Sequence, residues 1–217
     1  MTMSQRSLKR LAEKLGRSLC RCATEQCDLL DNDLGLCRVL IRLLAEGQPV
    51  APDVLAQASY RSREDVLAVI QASSSVELDG QGHIVGAGLS LRPTPHRLLL
   101  ANGSILYAWC ALDALMYPPF LGLIVQVESP CSGTDNLVQV RLSTIAVEEV
   151  VPAEAVVSIV TPDGALGVRQ GFCNDVHFFR SAQAAAPWCE QRPSAQLLSV
   201  SDAYLLGKEL VRKGECG

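Results

Sequence analysis

Apolar residues recur every three or four positions through the first third of the chain and then, from about Leu98, tend to alternate. The pattern therefore predicts helices first and strands afterwards. Residues 1–34 read as a helical, partly basic extension that ends in the polar turn "DNDLG". "LGLCRVLIRLLAEG" predicts a helix that stops at Gly47, and "APDVLAQAS" a short one with Pro52 in its first turn, where a missing N–H costs nothing. "SREDVLAVIQASS" predicts a third, with Ser62 as N-cap and Asp65 three residues on as an acidic capping box. "VELDGQGHIVGAGLSL" then reads as a hairpin turning at Asp79-Gly80. Three helices and a hairpin over 35–95 outline a winged helix.

The later part has a different texture. "LLLANGSILYAW" places Asn102-Gly103, a strong hairpin signal, between two apolar runs. An apolar segment bearing Cys110 and Asp113 follows, and Pro118-Pro119 is expected to stop any helix there. "GLIVQVES" and "NLVQVRLS" alternate as strands around the loop "PCSGTD" that holds Cys131, and "AVVSIVTP" is another strand. "GFCNDVHFFRS" leads from a turn bearing Cys173 into a β-rich stretch. Ser181 and Ser201 look like N-caps of two late helices, the second closing near Gly214. The expected fold is α+β: a helical extension over 1–34, a winged-helix-like part over 35–95, and over 96–217 a mixed or antiparallel sheet with surrounding helices.

Composition narrows the class. With 217 residues, 48% apolar and 19% charged, the chain can bury a real core and is not disordered. A net charge of −4 argues against a protein that coats nucleic acid. The chain shows no apolar run of membrane-spanning length, and its N-terminus lacks the apolar region of a secretory signal, so no membrane is expected and residence is expected to be cytoplasmic. An odd count of nine cysteines fits reduced thiols better than a disulfide framework. Cys20, Cys22 and Cys27 show C-x-C and C-x4-C spacing with no nearby histidine, which favours unpaired thiols over a zinc site; an accessory trap for thiophilic metal is the alternative. G-x-G-x-x-G after a strand, P-loop and G-x-S-x-G patterns are all lacking, so nucleotide chemistry and a serine-hydrolase elbow have no support.

The candidate chemistry lies in "YAWCALDAL". On a helix, Cys110 and Asp113 would share a face, and a carboxyl group in apolar surroundings holds its proton beside a thiol. Cys110 follows Tyr107 and Trp109 near an expected helix start, where free N–H groups favour a thiolate; the alternative is a buried structural cysteine. Asp113 has no adjacent Lys or Arg, which tilts the pair toward function. Cys173, between Gly171 and the turn residues Asn174-Asp175, is the natural second thiol. His177 alternates with apolar neighbours and reads as a sheet histidine. Cys131 is open between a redox-exposed and a structural thiol, Cys37 has no evident role, and Cys189 and Cys216 look incidental.

Together "YAWCALDAL", "VRQGFCNDVHFF" and "GAGLSLRPTPH" resemble the alkylmercury (organomercurial) lyase family, in the same order and over roughly residues 35–210. The resemblance implies a cytoplasmic bacterial enzyme that breaks carbon–mercury bonds by protonolysis, releasing a hydrocarbon and Hg(II). It also implies a winged-helix-like part on an α+β catalytic part. The family's two mercury-binding cysteines fall on Cys110 and Cys173, its proton-handling aspartate on Asp113, which is expected to join them in the metal set, and a cysteine thought structural on Cys131. Some members carry a cysteine where this chain has Asn174, and the cysteine-bearing extension before residue 35 lies outside the likeness.

Elementary chemistry agrees with that assignment. Mercury is soft and prefers thiolates to carboxylates or imidazoles. Two thiolates make the bound carbon more carbanion-like, and an acid that has just taken their protons can return one to it. No cofactor is expected. Low-molecular-weight thiols are expected to be needed for turnover, with an organomercurial as substrate, Hg(II) bound as product, and a mercuric reductase as a further recipient. The rival reading is a winged-helix regulator that senses thiophilic metal or redox state through its cysteines, but Glu64 and Asp65 would repel phosphates and Asp113 would have no task. A thiol oxidoreductase is weakened by the lack of C-x-x-C.

Overall fold

Helix α1 (Gln5–Cys22) opens a computed structural model that describes residues 3–22, 34–73, 75–132, 136–163 and 166–213. Cys27, Cys216, Gly214, most of the "DNDLG" turn and the side chains of Cys20 and Cys22 lie outside the described residues. Leu8, Leu11, Ala12 and Leu15 follow helical spacing and are all buried. They belong to the larger of two hydrophobic clusters, and the Met3 N–H donates to the buried Asp202 carboxylate at 3.1 Å. The basic N-terminal segment is thus built into the main core.

Helices α2 (Leu34–Leu44), α3 (Pro52–Ser59) and α4 (Arg63–Ala72) enclose the smaller cluster, where Leu36, Leu40, Leu55, Val66 and Ile84 are fully buried. Each such side chain stabilises the fold by about 1.5–3 kcal/mol relative to exposure. Ser62 caps α4 as its spacing predicts: Oγ accepts from the Asp65 N–H at 3.0 Å and donates to the Asp65 carboxylate at 2.6 Å. Arg63, at the first turn of that helix, pairs with Asp53 at 2.6 Å. Strands β1 (Glu77–Leu78) and β2 (Ile84–Ala87) form the expected hairpin. Its turn is longer than Asp79-Gly80 alone, because the Asp79 carboxylate gathers the N–H groups of Gln81 and His83.

The hairpin does not end as a separate wing. Strand β3 (Leu89–Ser90) pairs with β2 on one side and with β5 (Ile105–Ala108) on the other. With β4 (His96–Leu100), β6 (Val125–Pro130), β7 (Leu137–Leu142) and β8 (Val147–Val151), this makes one antiparallel sheet in the order β1-β2-β3-β5-β4-β6-β7-β8. Alternation is plain in β6 and β7, which turn Val125, Val127, Val138, Val140 and Leu142 into the core. Strand β8 has no such pattern because it is an edge whose Glu148 and Glu149 face solvent and pair with Arg141. A second antiparallel sheet has the order β10-β9-β11, with β9 (Val156–Ile159) between β10 (Phe178–Phe179) and β11 (Gln196–Ser199).

Two sequence expectations need correction. Helix α5 (Ala111–Leu121) runs through Pro118 and Pro119 instead of stopping before them. Proline's fixed φ is helical, and burial of the helix in the main core offsets the two lost N–H bonds and the crowding of the preceding turn. Gly122, at φ 69°, then closes the helix by donating to the carbonyls of Pro118 and Pro119. After the single turn α6 (Val168–Gly171), helix α7 (Ala182–Glu190) is capped by Ser181 as expected. Helix α8 (Val200–Lys213), however, begins one residue before Ser201; Ser199 Oγ accepts the Asp202 N–H at 3.1 Å instead. Among the described residues no helix is long and apolar enough to cross a membrane.

Candidate functional site

Cys110 sits at the junction of β5 and α5 as the N-cap of the helix, with extended backbone, and its sulfur accepts the Asp113 N–H at 3.4 Å. The three-residue spacing noted in the sequence is therefore a capping geometry, in which Asp113, in the first turn, folds its carboxyl group back toward the sulfur. The Cys110 thiol donates to Asp113 Oδ2 at 3.1 Å.

The second thiol arrives from sixty residues away on a short 3-10 turn, Cys173–Asp175. Cys173 donates to the same Oδ2 at 3.7 Å, so one carboxylate oxygen lies between two sulfurs. Ligand atoms of Cys110, Asp113 and Cys173 all fall within 4.8 Å of one another, and all three residues are buried. The two loops are stitched directly, the Ala111 N–H donating to the Val176 carbonyl at 3.0 Å. Ser158, fully buried on the central strand β9, adds a second tie that sequence reasoning missed. Its Oγ donates to the Asp175 carbonyl and accepts the His177 N–H, each at 2.9 Å. A lone serine inside the apolar run "AVVSIV" was the available signal.

Burial sets the protonation states. It raises the Asp113 carboxyl to about 7, against the pull of the two thiol hydrogen bonds. Burial also pushes the Cys110 thiol well up, aided by Cys173 and Asp113, so the thiolate expected at a helix start gives way to a protonated resting thiol. At Cys173 the neighbouring Cys110 pulls down, but burial and the adjacent Asp113 outweigh it and leave the thiol raised. The resting cluster therefore stores protons.

Two cavities meet this cluster. The larger, about 490 Å³, reaches Asp113 and Cys173 and is walled by α1, α2 and α5, with Ile41, Met116, Phe120 and Phe172 among its apolar side chains. Cys37, half-buried on α2, lines it too. So does Tyr117, one helical turn beyond Asp113, whose hydroxyl burial raises far above its usual range. The second cavity, about 310 Å³, is the more polar of the two and includes Trp109, Ser132, Arg169, Cys173, Asn174 and His177. Among the described residues Cys173 alone lines both.

The remaining candidates stand apart from the three-residue cluster. Cys131 is buried, with its sulfur accepting the Arg180 N–H at 3.3 Å and its thiol donating to the Ser132 carbonyl. His177 packs edge-on against Phe179 and Trp188, and burial lowers its pKa. Cys189 is half-buried against the main core.

Comparison with known proteins completes the picture. A family model described as alkylmercury lyase matches residues 89–212, and one described as the helix-turn-helix domain of alkylmercury lyase matches residues 10–88. An alkylmercury lyase of Staphylococcus epidermidis is 49% identical over 175 residues, 81% of this chain and 81% of that protein. One from Streptomyces lividans is 45% identical over 175 residues, again 81% of each, and one from Pseudomonas putida 39% over 174 residues, 80% of this chain and 82% of that protein. A crystal structure of the mercury-bound form of MerB2 matches with a TM-score of 0.77 at 22% identity, covering 93% of this chain and 99% of that one; it speaks for the fold.

Proposed function

We propose, for a chain that belongs to the alkylmercury lyase family, that Cys110, Cys173 and Asp113 carry out cleavage of the carbon–mercury bond by protonolysis. The observation that carries this reading is the single Asp113 oxygen placed between both sulfurs in a buried site.

The organic group of the substrate occupies the apolar cavity, and its mercury faces the cluster. Asp113, as carboxylate, takes the proton of one thiol, and the thiolate so formed displaces the substrate's own ligand, which leaves with that proton. The second thiol then yields its proton to Asp113 and binds the metal. Mercury now carries two thiolates and the organic group, and electron density on the carbon rises. The neutral Asp113 carboxyl delivers its proton to that carbon, the carbon–mercury bond breaks, and hydrocarbon departs. Hg(II) stays on Cys110 and Cys173, and Asp113 is again a carboxylate. Burial supports the acid step by keeping the carboxyl near 7, within reach of both protonation states at neutral pH.

Bis-thiolate mercury leaves only by exchange, so turnover needs exogenous thiols or a thiol-bearing recipient such as a mercuric reductase. That chemistry suits the reducing cytoplasm, where thiols stay unpaired. The test is phenylmercury with excess thiol: benzene forms with the native protein and not with Cys110→Ser or Cys173→Ser. Benzene at the native rate from either variant removes that sulfur from the mechanism.

A further inference from the structure

We propose that the polar cleft beside Cys173 binds a small thiol bearing a carboxylate, and that this thiol draws product mercury off Cys173 first. The inference rests on the lyase reading above and names the co-substrate of its last step.

Cys110 is fully buried and lines neither cavity, whereas Cys173 forms part of both. A thiol approaching through the polar cleft therefore reaches Cys173 without crossing the chamber that holds the organic group. The cleft offers an anion several donors. Its lining holds the Arg169 guanidinium, the Asn174 amide and the Ser132 hydroxyl and, among the described residues, no carboxylate. Glu77 holds one nitrogen of Arg169 and steadies the guanidinium 4.8 Å from the centre of the Trp109 ring. Trp109 is itself nine-tenths buried, and its indole N–H meets no acceptor. A buried donor without an acceptor is costly, and the ring that carries it lines this cleft. The apolar chamber also has charged groups in its wall, Arg17 and Arg38 against Glu13 and Asp113, but Asn174, Ser132 and Arg169 beside Cys173 belong to the cleft alone.

The exchange balances without redox. The incoming thiol's sulfur bonds to mercury as the mercury–Cys173 bond breaks, and its proton passes through Asp113, 3.7 Å from that sulfur, to the released Cys173. A second thiol repeats the exchange at Cys110 and carries Hg(II) away as its bis-thiolate.

The experiment loads the full-length protein with one equivalent of mercuric chloride and follows mercury transfer to 3-mercaptopropionate and to neutral 2-mercaptoethanol, at matched thiolate concentrations. The carboxylate thiol is expected to be faster by roughly tenfold, the scale of one hydrogen bond to a charged group. Arg169→Gln removes that preference and Arg169→Lys keeps part of it. Asn174→Asp, on an exposed residue that folding tolerates, lowers it by adding a like charge. Propionate, which has no sulfur, slows transfer in the native protein. Equal rates for the two thiols, or a preference untouched in both Arg169→Gln and Asn174→Asp, overturn the proposal. Because mercury is supplied directly, benzene release from phenylmercury is scored separately. In the native protein, no preference with benzene release intact sinks the cleft alone; no benzene with the preference present sinks the lyase mechanism alone.

Discussion

Gly88 faces the ring of Tyr117 so closely that a Cβ on it would lie 2.5 Å from the phenolic oxygen. Its φ of +80° also belongs to the region that side chains avoid, and its carbonyl accepts the Trp109 N–H at 2.8 Å, just before Cys110. Gly88→Ala should therefore destabilise by about 1–2 kcal/mol from backbone strain alone and push Tyr117 into the apolar chamber, raising KM. Adding Tyr117→Phe should recover little, because ring carbons at 2.7 and 2.9 Å would still collide. Thermal melts and steady-state kinetics of the two variants check this; full recovery in the double variant would leave strain with no part.

Ser158 bridges the Asp175 carbonyl and the His177 N–H from inside the second sheet. Ser158→Ala leaves both buried groups without that partner, at a cost of about 1–3 kcal/mol. It also loosens the turn that presents Cys173. The expected result is weaker retention of Hg(II) against competing thiols, with Cys110 unaltered. Retention equal to that of the native protein at a lowered Tm would make Ser158 purely structural.

Asp113 gives a pH signature. Its carboxyl stands at about 7 in the fold, above the ordinary 3.8, so between those values the folded state holds the extra proton. Stability from this group is complete below about pH 4 and declines as pH rises toward 7, by on the order of a few kcal/mol. Asp113→Asn cannot titrate. Its Tm should match the native protein near pH 4 and exceed it increasingly up to pH 8. The same variant should bind phenylmercury yet release no benzene. A Tm difference that is flat with pH would deny the carboxyl its raised pKa.

Cys131 separates structural from reactive sulfur. Its atoms serve the Arg180 N–H and the Ser132 carbonyl, away from the cluster. Cys131→Ala should lower stability by about 1–3 kcal/mol through the orphaned N–H and the cavity left behind. Mercury loading and benzene release per folded molecule should stay at native values. A drop in the benzene yield per folded molecule would place Cys131 in the reaction.

Much of this was legible from periodicity and caps. Ser62 and Ser181, the Asn102-Gly103 hairpin and the alternation in β6 and β7 all stood in the sequence because each is decided within a few residues. What long-range packing decides was not. Strand β8 is an edge with acidic faces, and nothing local in "VEEVV" marks it. Proline's local veto failed at Pro118 because the packing of α5 into the main core outweighs the bonds lost there. Nor did the apolar stripe of α1 say which core would receive it. At the site, the residue types of Cys110, Asp113 and Cys173 were readable, while their convergence on one oxygen depends on ties from Ser158 and Val176. The shared position of Cys173 between two cavities has no sequence signal at all.

The unbroken ladder through β3 bears on how this molecule comes apart. The two family models meet between residues 88 and 89, inside the tight connection from β2 to β3. Scission there would sever neighbouring rungs and strip a partner from β5, so neither fragment inherits a finished edge. The helical front and the rear that carries the thiol cluster share one continuous sheet, and a protease or an engineer seeking a seam will not find it at that junction.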